Sequence, residues 1–246
     1  MKVVAAYNIK GGVGKTATAV NLAYEATRAG NRVLLWDLDP QCAATFFFRI
    51  KPTVKGGAKR LIESNGSLAA HIRATDHLGL DLVPADFSMR NLDLHLDTRK
   101  RPTRRITTLL EPLADQYDIA ILDCPPGITL TSESVFAACD ALLVPTVPTT
   151  LSMRTLDQLI SFLADADRPL VLPFVSMIDR RKKLQRDFLA EFFERVPAHL
   201  PTVIASTSVI ERMGIERAPV AVFAPRSQSA LAYRELWADV ARRLWA

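Results

Sequence analysis

The sequence predicts an α/β protein in which helices cover both faces of a doubly wound, mostly parallel sheet. Short runs that are apolar on both faces, as in buried parallel strands, alternate with segments of helical periodicity along the whole chain. Such alternation implies right-handed crossovers between parallel strands. The 246 residues, 49% apolar and 23% charged, are enough to form one core, so we predict a single domain over residues 1–246.

The first strand and helix have the clearest signals. Val3–Ile9 is an almost continuous apolar run and predicts a buried strand. Apolar residues then recur with helical spacing from Ala19 to Ala26, and Gly30 can end the helix, which is predicted over residues 15–29. Further strands are predicted at Arg32–Asp39, Leu80–Ala85, Asp118–Cys124, Ala141–Val147, Leu170–Ile178 and Thr202–Ala205. Further helices are predicted over residues 89–98, 103–115, 131–139, 152–166, 183–195 and 228–245.

The stretch 49–76 has the least regular pattern in the chain. It contains Gly56-Gly57 and a basic cluster made of Arg49, Lys51, Lys55, Lys59 and Arg60. Adjacent glycines and clustered like charges are typical of loops, so we predict a mobile surface excursion here.

Composition excludes several classes of protein. Three cysteines without a C-x-x-C pair argue against a disulfide framework or a zinc ribbon, and the four histidines lack metal-ligand spacing. The N-terminal residues lack the long apolar region of a secretory signal, and no apolar run has the length of a membrane span. We therefore predict a cytoplasmic location. The net charge of +5 and the pI of about 9.3 favour anionic partners.

A glycine-rich segment, Lys10–Thr16 (KGGVGKT), joins the first predicted strand to the first predicted helix. Glycines let backbone N–H groups turn toward phosphate oxygens, and the start of a helix adds a favourable dipole. Lys15 can reach the β- and γ-phosphates of a nucleotide, and the Thr16 hydroxyl can ligate Mg²⁺. The strict G-x-x-x-x-G-K-[ST] pattern fails because its first position is Ile9, and Lys10 follows instead.

This loop resembles K-G-G-x-G-K-[ST], the deviant Walker-A loop of the ParA/MinD family of P-loop NTPases, and the resemblance covers nearly the whole chain. The matching segments are LLWDLDPQCAAT (34–45), LDLVPADFSM (80–89) and ILDCPPG (121–127). VSMIDRRKKL (175–184) and APRSQSALAYRELWADV (224–240) are similar to the ParA/Soj branch rather than to MinD.

The resemblance implies a set of site residues. The catalytic residues would be Lys10, which reaches across a nucleotide-sandwich dimer to the partner's phosphates, Lys15, and Asp39, which orients the attacking water. The Mg²⁺ site would use Thr16, Asp37 and Asp123. The nucleotide ATP would be bound by Lys10, Gly11, Gly12, Val13, Gly14, Lys15, Thr16, Ala17 and Gly127. Ala17 replaces the family's usual Thr or Ser, so we expect somewhat weaker nucleotide binding.

The resemblance also implies a slow, partner-stimulated, Mg²⁺-dependent ATPase that dimerises with ATP and binds double-stranded DNA non-specifically. Such a protein partitions plasmids, chromosomes or protein cargo together with a ParB-like or cargo-adaptor protein, in association with the nucleoid. The expected DNA-binding residues are Arg180, Arg181, Lys182, Lys183 and Arg186. For this cluster, as for Arg99–Arg105, a solvated helix face remains the alternative. No helix-turn-helix extension is expected before Met1.

Two other functions remain open from the sequence. The first is a MinD-like spatial regulator at the membrane surface, because the last helix is basic and amphipathic. Glu235 and Asp239 interrupt its positive face, so we expect the stripe from Tyr233 to Leu244 to dock on the protein's own sheet. The second is a metabolic or metallocluster ATPase, of which the positions of Cys124 and Cys139 disfavour only the version with an iron–sulfur cluster between two subunits. Phe46-Phe47-Phe48 are expected in the core or a dimer interface.

Overall fold

A computed structural model, which describes residues 1–63, 68–164 and 169–245, shows a seven-stranded sheet. The strands are β1 (Lys2–Ala6), β2 (Val33–Asp37), β3 (Arg73–Ala74), β4 (Leu80–Val83), β5 (Ile119–Asp123), β6 (Ala141–Thr146) and β7 (Leu170–Val175). Their order is β3-β4-β2-β5-β1-β6-β7, and all neighbours are parallel except the antiparallel pair β3–β4. The predicted fold class is confirmed.

Helices lie on both faces of this sheet. The α-helices are α1 (Lys15–Arg28), α2 (Ala43–Phe47), α3 (Gly57–Glu63), α4 (Leu92–Asp97), α5 (Arg105–Leu110), α6 (Leu130–Ala138), α7 (Thr150–Phe162), α8 (Lys183–Arg195), α9 (Ser208–Glu211), α10 (Met213–Glu216), α11 (Val220–Phe223) and α12 (Gln228–Leu244). Short 3-10 helices are formed by Ala69–His71, Phe87–Asn91, Pro102–Arg104 and Glu111–Leu113.

The sheet separates two apolar cores, which is why the central strands are apolar on both faces. In β1, Val3 and Ala5 point into a core shared with α3 to α8, whereas Val4 and Ala6 point into a core shared with α1 and α12. Tyr233 of α12 is buried in that second core, so the prediction that α12 docks on its own sheet is confirmed. Among the described residues, no helix has the length and apolarity that crossing a membrane requires.

The predicted strand at Thr202–Ala205 is wrong. This segment runs beside β7, and the Ile204 amide donates to the Val175 carbonyl at 2.9 Å, but the only bridge it forms in the described residues is isolated, between Ala205 and Ile178, which follows β7. The reason is a tertiary contact: the Thr202 amide and hydroxyl both donate to the Asp239 carboxylate of α12, at 3.2 and 2.5 Å, instead of extending a ladder.

The mobile excursion predicted over residues 49–76 is wrong for its described part. Val54 and Leu61 are buried in the first core, and the Val54 amide donates to the Asp86 carboxylate at 2.7 Å. The Ala58 amide donates to the Ser88 hydroxyl, also at 2.7 Å. Helix α3 is therefore a packed element, while residues 64–67 lie outside the described part.

Other differences are smaller. The helix predicted over 103–115 is divided into α5 and two 3-10 turns, because Pro112 cannot continue an α-helical ladder. The helix predicted over 152–166 is α7, and its last two predicted residues lie outside the described part. Strand β3 and the short helices α2, α3, α9, α10 and α11 were not predicted.

Candidate nucleotide site

The glycine-rich loop leaves β1 in the middle of the sheet and enters α1. Gly12 and Gly14 have φ angles of 72° and 93°, a left-handed backbone that side chains with a Cβ disfavour. A Cβ at Gly14 would also lie 3.1 Å from the Ser176 hydroxyl oxygen. The fold thus requires glycine where the chain turns into α1, at the helix start where phosphates bind.

Lys15 begins α1 and is almost fully buried. Its ammonium donates to the Lys10 carbonyl at 2.8 Å. Burial lowers the pKa of Lys15, and the nearby Asp123 is the strongest influence in the opposite direction. Because this buried ammonium donates to a single backbone carbonyl, it is well placed to replace that hydrogen bond with one to an anionic phosphate oxygen.

Asp123 ends β5, opposite Ala6 of β1 and Asp37 of β2. Both of its carboxylate oxygens are buried without a hydrogen-bond partner of normal geometry in the described residues. Burial, followed by repulsion from Asp37, raises the pKa of Asp123 well above its ordinary value, while the Thr16 hydroxyl has the opposite effect. Such an uncompensated carboxylate is costly in a dry interior.

This environment fits Mg²⁺. Thr16 and Asp123 supply the hard oxygen atoms that Mg²⁺ prefers, and the ion would compensate the buried charge. No group of three or more His, Cys, Asp or Glu side chains in the described ranges is placed to hold a metal. The site is therefore of the kind in which Mg²⁺ depends on one or two protein ligands together with phosphate and water oxygens.

Asp37 and Asp39 have different surroundings. Asp37 is fully buried and accepts hydrogen bonds from the Asp39 amide at 3.1 Å and from the Thr45 amide and hydroxyl at 2.9 and 2.7 Å. Burial raises its pKa to about 6. Asp37 thus anchors the loop that presents Asp39, and its contact with the Mg²⁺ shell stays a prediction. Asp39 accepts from the Gln41 amide at 2.9 Å and lines the cleft described next.

The loop, the Asp39 segment and Pro125-Pro126 enclose an open cleft of about 630 Å³, a volume suited to a nucleotide. Of the predicted residues, the cleft is lined by Gly11, Gly12, Gly14, Lys15, Thr16, Ala17 and Asp39. Lys10, Val13, Asp37, Asp123 and Gly127 are not among its lining residues. Sequence reasoning missed Gln41, Ala43 and Phe47, which also line it; Phe48 is buried in the core and Phe46 is half exposed.

The Gly127 backbone is tied to the end of β1. Its N–H donates to the Ile9 carbonyl at 3.0 Å, and its carbonyl accepts from the buried Tyr7 hydroxyl at 2.9 Å. The contact of Tyr7 with Gly127 was not predicted, because the only sign of it in the sequence is a tyrosine next to the loop. Lys10 is partly exposed, and its ammonium forms no ion pair or hydrogen bond within the described chain.

The predicted DNA-binding residues lie outside the cleft, in the loop before α8 and in its first turn. The Arg181 guanidinium donates twice to Asp179, at 2.9 and 3.0 Å, and Arg186 donates to the carbonyls of Arg180 and Arg181. Arg180, Lys182 and Lys183 are exposed and form no ion pair in the part of the chain that is described. In the second basic cluster, Arg99–Arg105, the Arg105 side chain is buried and donates to the Ile62 carbonyl, so it belongs to the core.

A glycine-rich loop between a central parallel strand and a helix, with a buried lysine and a buried carboxylate on the adjacent strand, defines a P-loop nucleoside triphosphatase. The chain belongs to a family described as an AAA domain, which matches residues 1–170. Within this class it is a ParA/Soj-like P-loop ATPase, as predicted.

Relatives and solved structures show what the chain is similar to. The sporulation initiation inhibitor protein Soj of Bacillus subtilis is 28% identical over 252 residues, covering 98% of this chain and 98% of Soj. A plasmid partition protein from Borrelia burgdorferi has the same fold, with a TM-score of 0.81, 20% identity and coverage of 98% of both chains. Cobyrinic acid a,c-diamide synthase from Mycobacterium smegmatis, solved with bound ADP and magnesium, superposes with a TM-score of 0.83 at 26% identity, covering 100% of this chain and 96% of the synthase.

Proposed function

We propose that this protein is an ATPase that dimerises with ATP, binds double-stranded DNA without sequence preference in that state, and positions plasmid, chromosome or protein cargo. The observation that carries the proposal is the cleft, which the buried Lys15 and the partly exposed Asp39 both line, next to strand β5 with the buried Asp123 at its end. The similarity to Soj supports partitioning as the purpose of the cycle.

In this proposal each part of the site has a defined role. Loop N–H groups and Lys15 bind the phosphates, and Ala17 offers only its backbone. Thr16 and Asp123 would hold Mg²⁺, which supplies positive charge to the phosphates. Asp39 orients the attacking water. The Gly127 N–H gives up its hydrogen bond to the Ile9 carbonyl and donates to the γ-phosphate instead.

The dimer depends on Lys10 in this proposal. Its ammonium has no partner in the described residues, so it is available to the phosphates bound by a second subunit. A cation supplied from the partner stabilises the transferring phosphoryl group and couples ATP occupancy to dimerisation. A ParB-like or cargo-adaptor protein would stimulate the slow hydrolysis and release the dimer from the nucleoid.

Sedimentation velocity with Mg·ATP and with Mg·ADP tests the dimer. We expect wild-type protein to dimerise only with ATP. Lys10→Ala should still bind ATP but should dimerise at least tenfold more weakly, about 1.4 kcal/mol. Lys182→Ala, which removes an exposed lysine outside the cleft, is the matched control. A wild-type protein that stays monomeric with ATP, or a Lys10→Ala variant that dimerises like wild type, would refute the proposal.

The second candidate is a metabolic ATPase, which the full-length similarity to the M. smegmatis synthase favours. Such an enzyme would be indifferent to DNA, and a metallocluster relative would contain bound iron. A MinD-like regulator would instead bind anionic liposomes through α12. These outcomes separate the three functions.

A further inference from the structure

Most of the protein's net charge is concentrated in one short segment. Residues 49–76 contain six basic and two acidic side chains, a net +4 out of the formal +5 of the whole chain. The proposed ATP cycle uses none of them. We define the α3 patch as four basic residues of this segment, namely Lys55, Lys59, Arg60 and Arg73.

The fold holds these charges at fixed positions. Helix α3 is anchored by the buried Ala58, Leu61 and Ile62, so Lys59 and Arg60 are directed to solvent. A Cβ on Gly56, which has a φ of 80°, would lie 2.5 Å from Cδ of Arg60.

The Arg60 side chain therefore lies over Gly56, directly beside Lys55. The three cations Arg73, Arg60 and Lys55 also surround one histidine: after burial, they are the causes of the lowered pKa of His71. The patch is thus a spatial cluster as well as a sequence cluster.

The patch has no acidic partner. Lys2 and several arginines elsewhere, such as Arg32 and Arg195, form ion pairs with Asp or Glu, whereas no described carboxylate pairs with any of the four patch residues. Arg73 donates to the carbonyls of Ala70 and Ile72, which orients its guanidinium without neutralising it. Clustered like charges repel one another in the free protein, and an anionic ligand would relieve this repulsion.

The position of the patch suggests which ligand. Arg73 of β3 pairs with Leu82 near the carboxyl end of β4, at one lateral edge of the sheet. The basic loop before α8 follows the carboxyl end of β7, at the opposite edge. Six spacings of about 4.8 Å place the two edge strands about 29 Å apart. Basic groups near both edges of the sheet would therefore lie within reach of phosphates on about one turn of a single duplex, about 34 Å.

We propose that the α3 patch is a second contact surface for the phosphate backbone of double-stranded DNA. This inference rests on the proposed function and extends it, because the loop before α8 would then be one of two DNA contacts. The described residues of 49–76 expose no large apolar side chain, which favours DNA over a lipid surface; Leu78, exposed in the turn after β3, lies just outside this segment. Phe87, exposed on the adjoining 3-10 helix, lies under the Arg90 guanidinium, 4.0 Å from the ring centroid.

Binding to a non-specific duplex with Mg·ATP over a range of salt concentrations tests this proposal. The variant is Lys55→Gln, Arg60→Gln, Arg73→Gln. The matched control is Lys2→Gln, Arg195→Gln, Arg243→Gln, which removes the same charge from scattered positions outside the patch. ATP binding, which uses none of these residues, verifies that both variants fold. Binding of the same variants to vesicles containing phosphatidylglycerol tests the alternative that the patch binds a membrane.

We expect the patch variant to bind DNA at least tenfold more weakly at about 0.1 M salt. Its slope of log affinity against log salt should fall by about one per lost phosphate contact, hence by up to about three. The control should keep the wild-type slope.

Wild-type DNA binding that persists unchanged in the patch variant would overturn this inference while leaving the proposed function intact. Equal losses in the patch variant and the control would also overturn it, because the effect would then reflect overall charge. A patch variant that loses vesicle binding but keeps DNA binding would assign the patch to a membrane instead. Absence of DNA binding by the wild type would refute the proposed function itself.

Discussion

The carboxylate of Asp123 is buried among groups that do not compensate its charge. Its folded-state pKa is raised, so the protonated form favours folding at low pH. This contribution is lost as the pH rises from about 4, the unfolded value, through the folded pKa. At neutral pH, where the carboxyl of the unfolded chain is ionised, the raised pKa of Asp123 lowers the stability of the nucleotide-free protein, and ligand binding would offset this cost.

We therefore expect Asp123→Asn to raise the melting temperature of the nucleotide-free protein at pH 7. Each kcal/mol gained should raise it by about 2–4 °C, and the difference from wild type should shrink toward pH 4. Thermal melts at several pH values measure this, and Mg²⁺-dependent hydrolysis should be lost. A variant that is less stable than wild type at pH 7 would show that the charge is compensated.

In the proposed site, Lys15 is the cation that the phosphate loop would present to a nucleotide. Lys15→Ala should abolish ATP binding measured by calorimetry, because the loop loses its buried charge-assisted donor. Lys182→Ala, which replaces an exposed lysine outside the cleft, should bind ATP normally. Stoichiometric ATP binding by Lys15→Ala would refute the assignment of the loop.

Asp39 lines the cleft on a loop that Asp37 anchors. Asp39→Ala should lower the hydrolysis rate by about 10²–10⁴-fold, the usual contribution of a group that positions or activates water. The variant should still bind ATP and remain a DNA-bound dimer. Asp97→Ala, which removes an exposed carboxylate on α4, is the control for the loss of a carboxylate. Normal turnover by Asp39→Ala would contradict its water-orienting role.

At the scale of single elements, the loop before α8 is the predicted DNA contact. The structure selects Arg180, Lys182 and Lys183 within it, because Arg181 is paired with Asp179. Replacing these three residues with Glu should weaken DNA binding strongly, leaving only the contribution of the α3 patch, and should leave ATP-dependent dimerisation intact. Arg181→Gln should have a smaller effect. Unchanged DNA affinity of the triple variant would place the contact elsewhere.

The sequence predicted six of the seven strands, including the edge strand β7, but not the edge strand β3. Strands such as β1 and β5 are buried on both faces, and this leaves an unmistakable apolar run. Thr202–Ala205 has the same pattern but is not a strand, because its amide hydrogen bond goes to Asp239, 37 residues further along the chain. The two-residue strand β3 is exposed and gives no periodic signal.

The candidate site could likewise be predicted only in part from the sequence. The glycine loop could be predicted because its geometry demands glycine at fixed spacing. The contact between Tyr7 and Gly127 could not, because it joins residues 120 positions apart. Likewise, only the folding of α2 against the Asp39 segment brings Phe47 to the cleft.

At the scale of the whole molecule, the nucleotide cleft lies near the middle of the sheet, and unpaired basic surfaces lie at its two ends. In the proposed cycle ATP acts as the ligand that selects the DNA-binding state. It can shift that equilibrium only by its difference in affinity for the two states. DNA affinity must therefore depend on the nucleotide, and through phosphate contacts it must also depend on salt.

The most direct test of the central claim is the affinity of wild-type protein for a non-specific DNA duplex with ATP, with ADP and without nucleotide, at two salt concentrations. We predict binding that requires ATP and weakens steeply at the higher salt concentration. Equal affinity in all three nucleotide states, or no binding in any of them, would contradict the account.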